Sequence, residues 1–341
     1  MASFVDEAIE TFKQTLNLRL FAYFLAIQLL ESVAFIVITI AFALIGIAAI
    51  LLYIVENFGE LSAEAILAAF SSQVMLFPIL AMAIPLAIIW LLVLAYIAAL
   101  FSGARIIFFN NFANGEGPSL GKAFGLARKR AFTFFKLELI VSIVVLAIIS
   151  IILAITLLPM IGAIGSSASM AGSGSMAATA IFGVLAGLLL VFIFFIALFF
   201  LSPFLWLFLP VVFFEKKGVV GSISRSVELV KPKYWDNLGF IVIFIAIMFV
   251  INLIINAITR LISLAFFLPL IGAAETMTGE AALYSMLGEL EPMPAIMAIF
   301  AIIYLPFTVW MNSYSTAAAR NLYFLDQPAA QAEQKNKKRI K

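Results

Sequence analysis

The sequence has no cysteine and no histidine. The first absence excludes disulfides and thiol nucleophiles. The two together exclude haem and zinc sites of the usual ligand types. Without histidine the chain also lacks the commonest general base near neutral pH. Charge is scarce as well. Only 11% of the 341 residues are charged and 65% are hydrophobic, whereas a soluble globular domain is about 25% charged and roughly 45–50% apolar. Such a chain cannot be covered with a polar surface. Strand-like alternation is missing too: the block VSIVVLAIISIILAITLL (141–158) is apolar on every side, unlike the two-residue period of a membrane β-barrel.

What is present is a series of apolar runs, each longer than the ~18 residues that mark a candidate transmembrane helix. They cover about 20–55, a second run ending near Phe109, then 137–158, 180–214, 238–274 and 294–325. The expected fold is an all-α polytopic membrane protein with six transmembrane helices arranged as three hairpins. Most runs exceed the ~20 residues needed to cross, which tilt, kinks or protruding helices would explain. Pro78, Pro85, Pro203, Pro210, Pro294 and Pro306 all fall in the even-numbered spans, where they tend to kink a helix whose neighbours satisfy the freed carbonyl.

Lys and Arg set the expected orientation. Of 20 such residues, 19 lie before span 1, between spans 2 and 3, between 4 and 5, or after 6. The three alternate loops hold none, but carry Glu56, Glu60, Glu64, Glu275, Glu280, Glu289 and Glu291. By the positive-inside rule both termini face the cytoplasm, and the expected location is the plasma membrane. Arg260 alone breaks the pattern. The start of the chain, acidic and without a cleavage site, does not read as a signal peptide. The tail 326–341 is basic and polar and reads as disordered.

The chain reads as one membrane domain with an internal repeat. VDEAIETF (5–12), LGKAFGLA (120–127) and VGSISRSV (220–227) each place apolar residues at relative positions 0, 3 and 7. Each reads as an amphipathic interfacial helix feeding an odd-numbered span. In the first, Val5, Ala8, Ile9, Phe12 and Leu16 share a face. Each hairpin then returns through an aromatic phrase: ARIIFF (104–109), LPVVFF (209–214) and ARNLYF (319–324). The expected units are about 3–109, 118–214 and 219–325, a parallel repeat with a pseudo-threefold axis along the membrane normal. Phe108, Phe109, Phe213, Phe214, Tyr323 and Phe324 are placed at headgroup depth.

The segments GEGPSLGKAFGLARKRAFTFFKLELIV and KKGVVGSISRSVELVKPKYWDNLGFIVIF resemble the membrane domain attached to some bacterial glycerophosphodiester phosphodiesterases, and its stand-alone relatives. The resemblance rests on Gly221, Arg225-Ser226, Lys231 and Tyr234-Trp235 ahead of a span, and covers about a tenth of the chain well. The phosphodiesterase barrel has no room here and its histidines are missing, so the resemblance carries no hydrolase activity.

Two groups of residues are candidate sites. Glu31 lies about 16 Å into span 1 at 1.5 Å per residue, where an ionisable group is costly and a functional candidate by default. Asn252, Asn256 and Arg260 form an i, i+4, i+8 stripe in span 5, and Asn312 lies at depth in span 6. This polar cluster reads either as a site for an ion or lipid headgroup, or as packing glue between spans. Arg105, Arg128, Lys129, Arg130, Lys216, Lys217 and Arg320 are candidate contacts for anionic lipid; positive-inside charge alone would also place them there. Arg105 and Arg320 would snorkel to phosphate. The Gly/Ser stretch 165–175 lacks the context of a phosphate cradle. No metal site, cofactor, nucleic-acid surface or catalytic constellation emerges. The expectation is a non-enzymatic lipid-interacting or scaffold module, with membrane lipids, a second copy or another membrane protein as partner. A transporter or channel for a lipid-like or small hydrophobic substrate is the second reading, centred on Glu31, Asn252 and Asn312. A membrane enzyme is the third, with Glu31 its only deep carboxylate.

Overall fold

A computed structural model describes residues 4–59, 62, 66, 73–116, 119–167, 174–274 and 293–325. The expectations for Glu60, Glu64, the acidic loop 275–291, residues 168–173 and the tail 326–341 lie outside them. Helix accounts for 95% of the structure, with no strand among the described residues. The helices are α1 (Phe4–Thr15), α2 (Leu18–Phe58), α3 (Gln73–Ala113), α4 (Leu120–Ser167), α5 (Gly174–Pro210), α6 (Val219–Val230), α7 (Tyr234–Ala274) and α8 (Met293–Leu325). A π-helical turn, Val211–Glu215, extends α5, and a 3₁₀ turn, Lys231–Lys233, joins α6 to α7.

Five stretches are long and apolar enough to cross a membrane: Leu18–Phe58, Phe77–Ala113, Leu120–Ala154, Leu185–Glu215 and Val219–Leu261. The protein is therefore an all-helical, multi-pass membrane protein. At 48 residues, α4 is about 72 Å long, against a hydrocarbon core of about 30 Å. Tilt alone cannot absorb that excess, so part of α4 projects beyond the core.

Helix breaks follow local chemistry. Asn17 separates α1 from α2, its side chain accepting from the backbone N–H of Arg19 (3.0 Å) and Leu20 (3.3 Å). Pro232 sits in the turn between α6 and α7, where its missing N–H and fixed φ stop a continuous α-helix. The sequence led us to expect a third short helix at 120–127. Instead that segment is the first part of α4. Ser119 caps it, accepting from the Lys122 N–H at 3.4 Å, and no proline or capping residue interrupts the chain before the apolar run. At the far end of α3, Gly115 (φ 73°) closes the helix. Its N–H donates to Phe112 and that of Glu116 to Asn111, both at 3.0 Å. This is the paired bonding of a Schellman cap, which favours glycine.

The described residues group into two compact units. The first takes those up to Ala41, Phe108–Glu116 and those from Trp235 onward; the second takes Phe42–Ile107 and Ser119–Tyr234. In the first, the end of α8 is densely packed, and nearly every residue from Ser313 to Tyr323 is buried. It can be, because its polar groups turn inward on the helix: Ser313 and Thr316 each donate to the carbonyl four residues earlier. α1 packs on α8 through Ala8, Thr11 and Thr15, all buried, while Ile9 and Leu16 stay exposed.

In the second unit, α6 likewise buries small polar residues. Ser222 and Ser226 are covered, and the Ser226 hydroxyl donates to the Ser222 carbonyl at 2.9 Å. Val220 (79% exposed), Ile223 and Val227 point away from the protein. Phe213 packs on Phe134 with ring centres 5.7 Å apart. Gly103 faces the same ring so closely that no Cβ would fit between them. On α5, Phe192, Phe195 and Phe200 are exposed.

Candidate functional site

The first unit assembles a polar and aromatic cluster. Asn312 on α8 donates to the Gln28 side chain on α2 at 2.7 Å. Glu31 lies one turn further along α2 and is buried, at 5% exposure. Beside Asn312 on α8, Trp310 and Tyr314 stack at 5.4 Å, and Phe12 of α1 meets both rings edge-on. Phe244 of α7 covers the other side of Tyr314, at 4.6 Å. The indole N–H of Trp310 and the hydroxyl of Tyr314 are buried with no hydrogen-bond partner among the described residues.

An orphaned buried hydroxyl costs its desolvation penalty, about 1–3 kcal/mol. Tyr314→Phe should therefore leave the thermal midpoint unchanged or raise it, by up to about 1 kcal/mol of stability. A clear drop in the midpoint would show that the hydroxyl is bonded, for instance to an enclosed water.

A second cluster joins the end of α8 to the end of α3 and to α1. The Arg320 guanidinium donates to Asn110 (3.0 Å), Asn321 (3.0 Å) and Asn114 (3.3 Å). It also lies over the Phe324 ring at 4.7 Å. Asn321 in turn donates to the Thr11 hydroxyl at 2.8 Å, tying α1 to α8.

The residues singled out from sequence fall into three groups. Glu31 and Asn312 sit in the first cluster. Asn252 and Asn256 bond to each other along α7 and are exposed, as is Arg260 further on. Arg105 and Arg320 correct the sequence reading, because both are buried at 8% exposure rather than extended to a headgroup. For Arg320 the reason is visible: three asparagine side-chain oxygens and an aromatic face replace its hydration. Likewise Phe108, Phe109, Phe213 and Tyr323 are buried in the protein and do not form a lipid-facing belt. Arg128, Lys129 and Lys216 are exposed, and Arg130 is half-buried. Lys217 pairs with Glu215 at 3.5 Å. Glu215 also accepts from Arg225 at 3.1 Å, and Arg225 reaches Glu228 at 3.1 Å.

Sequence reasoning missed Gln28, whose i, i+3 spacing from Glu31 was the available signal. It also missed Asn110, which follows ARIIFF directly, Asn114 one turn later, and Glu138. That last carboxylate lines a groove in the second unit with a volume of about 660 Å³.

Among the described residues, no group of three His, Cys, Asp or Glu side chains could hold a metal ion. No family model, curated protein or solved structure matches the chain. The resemblance noted above thus rests on its own residues. Their roles here are local. Arg225 pairs with acids, Ser226 bonds within α6, the Tyr234 hydroxyl donates to the Phe200 carbonyl at 2.9 Å, and Trp235 is exposed.

Proposed function

We propose that the protein is a non-enzymatic membrane module that binds and organises lipid. The observation that carries this is the outward face of α6. An exposed Val220, Ile223 and Val227 would be costly in water, and burying such side chains yields about 1.5–3 kcal/mol each. A helix that buries its serines against the protein and offers its valines outward is suited to lie in a bilayer interface. α1 has the same division, with Thr11 and Thr15 inward and Ile9 and Leu16 outward.

The full arrangement we propose is six spans in three hairpins, with both termini cytoplasmic at the plasma membrane and units related by a pseudo-threefold repeat. The distribution of Lys and Arg supports the orientation. The uncharged apolar stretch 294–311 supports a sixth span. Exposed Arg128, Lys129 and Lys216 then meet anionic headgroups, each contributing about 1 kcal/mol. The module resembles the phosphodiesterase-linked membrane domain in this layout.

The test is lipid selection. The purified chain is placed in discs of mixed phosphatidylcholine and phosphatidylglycerol, and the lipid retained after delipidation is measured. Anionic lipid should be enriched. Changing Arg128, Lys129 and Lys216 together to Gln should lower its apparent affinity by roughly tenfold or more. Equal retention by parent and variant defeats the proposal.

Transport is the second reading, and buried Glu31 beside the Gln28–Asn312 bond favours it. It requires Glu31→Gln to abolish a measurable flux while leaving lipid selection intact.

A further inference from the structure

The groove at Glu138 lies wholly within the second unit, walled by α3, α4 and the end of α5. Its lining is mostly apolar. Glu138 and Ser142, one turn apart on α4, supply the polar groups, while Ile88, Leu91 and Leu146 line the remainder. Glu138 has no hydrogen-bond or ion-pair partner among the described residues. Three aromatic rings, Phe134, Phe135 and Phe208, stand in the same wall.

This composition selects for one kind of occupant. Glu138 is exposed at the groove's open side, and a carboxylate flanked by apolar walls attracts a positive charge more strongly than one surrounded by water. The predominantly apolar walls, Ile88, Leu91 and Leu92 on α3 and Leu139, Val141 and Leu146 on α4, suit a hydrocarbon or aromatic body rather than a hydrated ion. The volume of about 660 Å³ falls in the ~300–1,000 Å³ range of small-molecule sites. An inorganic cation would need more oxygen ligands than Glu138 and Ser142 provide.

We propose that this groove binds a lipophilic cation, an amphiphile with one amine or onium centre at Glu138 and its apolar body against Leu91 and Leu146. The site is separate from the lipid-organising surface of α6 and does not depend on it.

Equilibrium binding of radiolabelled tetraphenylphosphonium to the full chain in phosphatidylcholine discs, with empty discs subtracted, tests the assignment. Saturable binding is expected, displaced by dodecyltrimethylammonium and not by dodecyl sulfate. Glu138→Gln keeps the shape and removes the charge, and should weaken binding by roughly thirtyfold or more. Ala95→Leu fills the groove without touching the carboxylate and should weaken binding as well. That second variant keeps the test decisive if the first fails to fold. Absence of saturable binding by the parent, unchanged affinity in Glu138→Gln, or equal displacement by dodecyl sulfate each overturns it.

Discussion

Arg320→Met should destabilise the protein by about 3–5 kcal/mol, the cost of breaking a buried, hydrogen-bonded charge site by removing one partner. The guanidinium is 8% exposed and its donors serve Asn110, Asn114 and Asn321 at 3.0–3.3 Å. Methionine fills similar space but leaves three amide oxygens without those donors, in positions water reaches poorly. Lysine should fail too. Its single ammonium cannot reproduce a planar fork that addresses three acceptors in different directions. Read by thermal unfolding at a fixed scan rate, the loss should appear as a fall on the order of 5–10 °C. Because Asn321 also holds Thr11, α1 should loosen first. Proteolysis near the Asn17 turn should therefore accelerate in the variant. If Arg320→Met melts within about 1 °C of the parent, the arginine is a tolerated charge and not a structural hub.

Gly103→Ala should also be costly, by about 1–3 kcal/mol or somewhat more, although it adds a single methyl group. That methyl group would collide with the Phe213 ring. The ring has little room to retreat, because it is 6% exposed and packs on Phe134. The backbone behind it is a π-helical turn, Val211–Glu215, closed by Lys216 in the left-handed region at φ 58°. Phe213→Leu alone should cost less than Gly103→Ala. The double variant should recover much of the loss, giving a coupling energy of about 1 kcal/mol or more. Strict additivity of the two single effects would mean that the clash is relieved elsewhere.

The helical framework was legible where the chemistry is local. Apolar runs located the long helices, and Asn17 and Pro232 mark the breaks that set off α1 and α6. The segment 120–127 misled because its 0, 3, 7 pattern matches the other two, while nothing in it stops a helix. Periodicity says which face is apolar, and only a breaker says where a helix ends. The polar cluster was half legible. Glu31 and Asn312 stood out as polar residues at depth. Asn252 and Asn256 stood out for the same reason, yet the spacing that aligns them lets Asn256 bond to Asn252 on its own helix. Arg320 was read as reaching for headgroups because it sits near a helix end. Two of the three asparagines that hold it lie 206 and 210 residues away in the chain, and no local pattern connects them to it. Glu138 passed unnoticed because it stands beside Lys136, at what looked like the polar edge of an apolar run. Its significance comes from α3 and α5, which wall the groove around it.

The outward side of α6 has a mechanical consequence. A helix that sinks Val220, Ile223 and Val227 to the acyl boundary takes up area in one leaflet only. With α6 in the interface as proposed, nothing on it occupies matching area in the opposite leaflet, and the bilayer around the protein would be under bending stress. That stress is relieved where the membrane already curves toward the α6 side, and the protein should collect there. Its distribution between small and large vesicles of one composition would then be uneven. The local shape of the membrane would influence where the molecule resides, with no ligand involved.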